Sequence, residues 1–147
     1  MRSAPDGETV PIVATLDLSL APTVAAPAQA RAAVSEWCRQ ATGVGLPIDT
    51  ALLLVSELVT NSVRHARIDD EHPLRLSVRL SETTLRLQLW DGGTQGTVTP
   101  RSPRRDDDIG GFGLDLVARL SRAWGVDRDA HGTTVWLELA TATDTTA

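Results

Sequence analysis

The chain has 147 residues, a formal net charge of −5, 41% hydrophobic and 22% charged residues, proportions that suit one globular domain with a single core. The negative balance argues against direct nucleic-acid binding through a general basic surface. One cysteine, Cys38, excludes an intrachain disulfide and any multi-Cys metal site.

No apolar run is long enough to span a bilayer, and the N-terminus lacks a signal-peptide pattern. The expectation is therefore a cytoplasmic protein without membrane association, one domain over residues 1–147. Its core spans about 12–140, between flexible termini. All 14 basic residues are Arg and none is Lys. A Walker A loop and a eukaryotic-type protein kinase both require a lysine, so neither mechanism is open to this chain.

In chain order, Ile12, Ala14, Leu16, Leu18 and Leu20 alternate with Val13, Thr15, Asp17 and Ser19, which predicts a strand around 12–20. Pro11 confines its start to an edge or first position. Ala30, Ala33, Val34, Trp37, Cys38 and Ala41 recur at helical spacing, predicting a helix from about Pro27 to Thr42. Pro27 fits its first turn and Gly43 the position past its end. Cys38 lies on the apolar stripe and reads as a packed, inert thiol.

A second helix opens at Pro47 and Asp49 and runs through Ala51–Arg67. Leu52, Leu53, Leu54, Val55, Leu58, Val59 and Val63 make it apolar nearly all round, the pattern of a buried helix. Within it Glu57 and Asn61, the only asparagine, stand four apart on one face, with His65 a turn further on. A carboxylate and an amide on such a helix need partners, from the protein or from a ligand with its metal ion. No metal-ligand spacing joins His65, His72 and His131.

Two cleanly alternating strands follow. Leu74, Leu76, Val78 and Leu80 face one way; after the turn at Ser81–Thr84, Leu85, Leu87 and Leu89 face in, with Arg86, Gln88 and Trp90 out. The second strand runs into Asp91-Gly92-Gly93, and a long loop leads to Gly110-Gly111-Phe112-Gly113 and a third helix. Connections of that length are usually functional or mobile. Trp124-Gly125-Val126, a turn at Asp129–Gly132 and a last strand with Val135, Leu137 and Leu139 inward complete the order β-α-α-β-β-(loop)-α-β-β. That order predicts an α+β two-layer sandwich, one mixed or antiparallel sheet with three helices on one face.

Each chemical feature has an ordinary reading: ExxxN by accident, DGG as a turn, GGFG as a hinge or close packing point. Their order within one domain carries more. A glycine-rich helix start offers free N–H groups and partial positive charge to phosphate oxygens, and glycine lets backbone approach a ligand.

These segments together resemble the Bergerat-fold (GHKL) ATPases. ELVTNSVRHA is similar to their N box, Asp91-Gly92-Gly93 to the first glycine box, GGFGLDLVARL to the second, and Gly132-Thr133-Thr134-Val135-Trp136 to the GT segment on the last strand. SELVTN, AWGV and GTTVW resemble the bacterial anti-sigma-factor serine/threonine kinase branch.

The resemblance implies ATP and Mg²⁺ as cofactors. Asn61 would be the magnesium ligand and Glu57 the catalytic base. Asp91 would accept a hydrogen bond from the adenine amino group and Gly93 would let the base approach. Gly111 and Gly113 would cradle phosphates, with Leu114 beside them in the binding set, and Thr134 would support the adenine end. Residues 94–109 would form an ATP lid whose Arg104 or Arg105 meets the γ-phosphate, although these arginines read equally as a solvated run facing Asp106, Asp107 and Asp108. The first glycine box usually reads DxGxG, and here its fifth position is Gln95.

The implied partners are a sigma factor and an anti-anti-sigma protein, with a possible homodimer. Other readings are a non-catalytic, ATP-dependent partner-switching module and a histidine-kinase catalytic domain. The last needs a preceding helix pair with a phosphoacceptor His. Outward Trp90 and Trp136 form either an aromatic patch for a partner or a pair that cover each other across neighbouring strands.

Overall fold

Alternation in the sequence becomes a five-stranded sheet. The computed structural model describes residues 11–41, 45–64, 72–92 and 109–141. Its elements are β1 (Ala14–Leu20), α1 (Ala26–Gln40), α2 (Ile48–Arg64), β2 (Leu74–Leu80), β3 (Thr84–Asp91), α3 (Ile109–Leu120), β4 (Ala123–Asp129) and β5 (Gly132–Ala140). The order in space is β1-β2-β3-β5-β4, and every neighbouring pair is antiparallel. Of the two sheet types the sequence left open, the antiparallel one forms.

Register explains why one face is dry. Leu16 stands opposite Val78, Val78 opposite Leu87 and Leu87 opposite Leu137, so one row of apolar side chains crosses four strands. Leu74, Leu76, Leu80, Leu85, Leu89 and Leu139 build parallel rows and are buried with them. The three helices cover this face: α1 packs on β1, α2 on β3 and α3 on β4, with α2 in contact with both other helices. Each fully buried Leu or Val contributes roughly 1.5–3 kcal/mol of transfer free energy, so these rows drive the fold.

Helix boundaries follow local chemistry. Pro27 occupies the first turn of α1, where its missing N–H is harmless. The helix stops at Gln40 because Ala41 turns extended, its N–H shared between the carbonyls of Trp37 and Cys38. In α2 the Pro47 carbonyl accepts the Ala51 N–H, so the helix starts one residue after Pro47, with Asp49 in its first turn.

One expectation about α2 is corrected. It buries Ala51, Leu54, Val55, Leu58 and Val59 on one side, while Leu53 is 42% exposed, so the helix has a wet side despite its composition. α3 starts at Ile109, so the glycine cluster lies inside its first turns, not in a loop before it. The strand predicted from Ile12 begins at Ala14, and Ile12 and Val13 are exposed.

The face away from the helices is polar and held by cross-strand pairs. Arg86 stands opposite Glu138, with a 2.9 Å ion pair, and its guanidinium lies 4.4 Å from the ring centroid of Trp136. The Arg75 guanidinium lies 5.4 Å from the centroid of Trp90. Trp90 stands opposite Thr134 and Trp136 opposite Gln88, so the two indoles are not cross-strand partners. Each half-buried ring has an arginine over it.

Candidate functional site

Glu57 and Asn61 stand one turn apart on α2, both half-buried. That intermediate exposure removes the difficulty posed by a fully buried carboxylate, because α2 keeps a wet side where water or a ligand can reach. Neither Asn61 nor Asp91 is an orphaned polar group, since each interacts with other groups of the chain.

Asp91 is the last residue of β3 and continues the inward row Leu85, Leu87, Leu89. It stands between Leu74 of β2 and Thr133 of β5, so its side chain belongs to the helix-covered face. The wall behind it is apolar, as Leu74 is buried. A base stacked beside such a carboxylate would be read by hydrogen bonding against a dry background.

Register separates the two adjacent threonines. Thr133 faces Asp91, while Thr134 faces Trp90 on the polar side of the sheet. The hydroxyl that shares a face with Asp91 is therefore that of Thr133. Sequence reasoning missed it although the signal was present: stepping back by two from inward Val135 lands on Thr133, just as stepping on from Leu89 lands on Asp91.

Glycines bring the strand ends together. Gly132 opens β5 with φ +150°, and a Cβ there would lie 2.5 Å from the Asp91 carbonyl oxygen and 2.7 Å from Gly92 Cα. Only glycine allows β5 to approach the end of β3 this closely. The approach is stabilised at the turn by the Asp129 carboxylate, which accepts the N–H groups of His131 (2.7 Å) and Gly132 (3.1 Å).

The remaining predicted residues lie at the start of α3 or beyond the described chain. Because α3 begins at Ile109, Gly111 falls among the opening amides that have no intrahelical acceptor, while Gly113 sits one turn in and half-buried Leu114 follows it. Gly93, His65, the stretch 94–108 and with it Arg104 and Arg105 lie outside the described residues.

The end of β3 adjoins the start of β5, and α2 packs against both β3 and α3. Among the described residues no group of three or more His, Cys, Asp or Glu side chains could cage a metal. The amide oxygen of Asn61 suits magnesium, which takes few protein oxygens and completes its shell with phosphates and water. The Asn61 donor thus fits a magnesium ion.

The chain is similar in fold to a crystal structure of the RsbU and RsbW domains of Rv1364c from Mycobacterium tuberculosis, with a TM-score of 0.66 and 22% identity. That match covers 88% of this chain and 32% of the other, so the chain spans about a third of the length of its structural relative. Comparison with curated protein sequences gives no match. A family model described as the histidine kinase-like ATPase domain matches residues 20–139, which runs from the last residue of β1 to the second-last residue of β5. With this α+β antiparallel fold and that match over most of its length, the chain belongs to the histidine kinase-like ATPase domain family.

Proposed function

We propose that this chain is an anti-sigma factor with serine/threonine protein kinase activity, transferring the γ-phosphoryl group of ATP to a hydroxyl of an anti-anti-sigma protein. The observation that carries the reading is that α2, which holds Glu57 and Asn61, packs on β3, which ends at Asp91, and on α3, which opens with the glycine cluster, within a domain matched to the ATPase family. The structural likeness to a chain with an RsbW domain supports the branch reading.

Each residue has a role in the proposal. Asp91 accepts the adenine 6-amino hydrogen, and Thr133 lies opposite it for a second contact, directly or through water. Thr134, on the far face, supports that end of the sheet by standing beside Trp90. Gly93 lets the base approach. Gly111, Gly113 and Leu114 line the phosphate end at α3, and Arg105 meets the γ-phosphate. Asn61 ligates a magnesium ion, which supplies charge neutralisation when bound.

Glu57 orients the substrate hydroxyl and takes its proton as oxygen bonds to the γ-phosphorus; the bond from that phosphorus to the β,γ-bridging oxygen breaks and ADP leaves. Such transfers need mostly positioning and electrostatic stabilisation, which the absence of lysine leaves to backbone amides, the metal ion and arginine.

Incubation with γ-labelled ATP, Mg²⁺ and anti-anti-sigma proteins tests the reading. Wild type should transfer label. Glu57→Ala should lose transfer by about 100-fold or more while still binding nucleotide, the scale of a general base. An unlabelled partner that binds only with ATP would instead make the chain a non-catalytic switching module. Asn61→Ala should weaken Mg-ATP binding by roughly tenfold in a titration, and unchanged affinity would remove Asn61 from the site.

A further inference from the structure

We infer that Trp90 is a positioning residue that sets base specificity from the opposite face of the sheet, by clamping Gly92 and so holding the Asp91 carboxylate in place. The inference rests on the reading of Asp91 as the adenine-selecting group.

Trp90 immediately precedes Asp91 but points to the polar face, between Arg75 and Thr134. It cannot touch a base bound among the helices. Its indole instead reaches along the strand and covers Gly92, which is buried: a Cβ on Gly92 would lie 2.5 Å from Trp90 Cζ2. From the neighbouring strand Gly132 approaches the same backbone, within a distance that leaves no room for a methyl group beside Gly92 Cα or the Asp91 carbonyl. The Asp91–Gly92 segment is thus confined between an aromatic ring and a glycine backbone. Arg75, over the ring, restrains the indole in turn.

Confinement matters here because β3 ends at Asp91 and has no ladder beyond it to hold its register. A hydrogen bond weakens steeply with distance and angle, and a carboxylate that drifts by a fraction of an ångström loses its discrimination between an amino group and a carbonyl. ATP presents an amino group at that position and GTP a carbonyl oxygen. Loosening the clamp should therefore penalise ATP selectively, whereas general loss of fold penalises both nucleotides alike.

Calorimetric titration of the full chain with Mg-ATP and Mg-GTP tests this, using Trp90→Leu, Trp90→Phe, Gly92→Ala and Asp91→Asn. Trp90→Leu should raise the Kd for ATP about tenfold with GTP affinity within about twofold, the range of one hydrogen bond to a charged group. Trp90→Phe keeps a ring over Gly92 and should restore most of the ATP preference. Gly92→Ala drives a methyl into the indole and should reproduce the loss with the tryptophan intact, so the test survives a Trp90→Leu chain that does not fold.

An unchanged ATP-to-GTP ratio in Trp90→Leu or Gly92→Ala overturns the inference, as does an equal loss for both nucleotides. Asp91→Asn separates the two levels. If it leaves the ratio unaltered, the adenine reading itself fails; if it collapses the ratio while the clamp variants do not, only the clamp fails.

Discussion

Cys38 shows how burial decides chemistry at a single residue. The side chain is 3% exposed on the inner stripe of α1, and burial raises its thiol pKa above the ordinary 9.0. The folded chain therefore holds this proton more tightly than the unfolded chain. Its contribution to stability is complete below the unfolded value and declines as pH rises through the folded one. A thiol reagent at pH 8 should label Cys38 only after denaturation, and rapid labelling of the native chain would contradict the packed, inert thiol. Ser121 is the opposite case: among the described residues its Oγ is a buried side-chain atom with no hydrogen-bond partner. Since an unsatisfied hydroxyl costs about 1–3 kcal/mol, Ser121→Ala should be neutral or stabilising by up to about 1 kcal/mol in chemical denaturation.

At the scale of elements, α2 carries the sharpest contrast. Leu53 and Leu54 are adjacent and chemically identical, yet Leu54 is fully buried and Leu53 is 42% exposed. Leu54→Ala should cost about 2–5 kcal/mol, while Leu53→Ala should stay within about 0.5 kcal/mol, both read from urea midpoints. Equal losses would mean that α2 is covered all round. For the proposed site this matters, because a helix with a wet side can present Glu57 and Asn61 to a ligand. The β2–β3 hairpin shows a second local device. Its turn is closed by the Ser81 N–H to the Thr84 carbonyl at 2.8 Å, while Ser81 Oγ accepts the N–H groups of Thr83 and Thr84. Thr141, just past β5, donates its hydroxyl to the Glu82 carbonyl and ties the sheet's far end to that turn.

Across the whole molecule, one layer of helices on one face leaves the other face polar, and the proposed site takes in the Asp91 end of the covered face. A ligand that bridges α2, β3, β5 and α3 stabilises the fold by mass action. Mg-ATP at about 100 times its dissociation constant should add about 2.7 kcal/mol, or roughly 5–10 °C in Tm for a chain of this size. Scanning calorimetry with ATP, with and without a chelator, checks this; Asn61→Ala should lose much of the magnesium-dependent part. Among the described residues no helix is long and apolar enough to cross a membrane.

Local periodicity was enough to establish the element order, the inward rows of β2, β3 and β5, and the pairing of Glu57 with Asn61 on one face. These follow from the repeat of the backbone itself, 2 residues in a strand and 3.6 in a helix, which needs no partner to be read. Motif order was enough to point to the family, because ELVTNSVRHA, Asp91-Gly92-Gly93 and GGFGLDLVARL resemble its boxes in that order, and the family model matches residues 20–139. Only the tertiary structure decided that Thr133 stands opposite Asp91, that an arginine covers each outward tryptophan, and that Gly132 and Trp90 close on Gly92 from separate directions. Those relations join residues tens of positions apart, and strand register and helix docking set them through contacts that no single stretch of sequence contains.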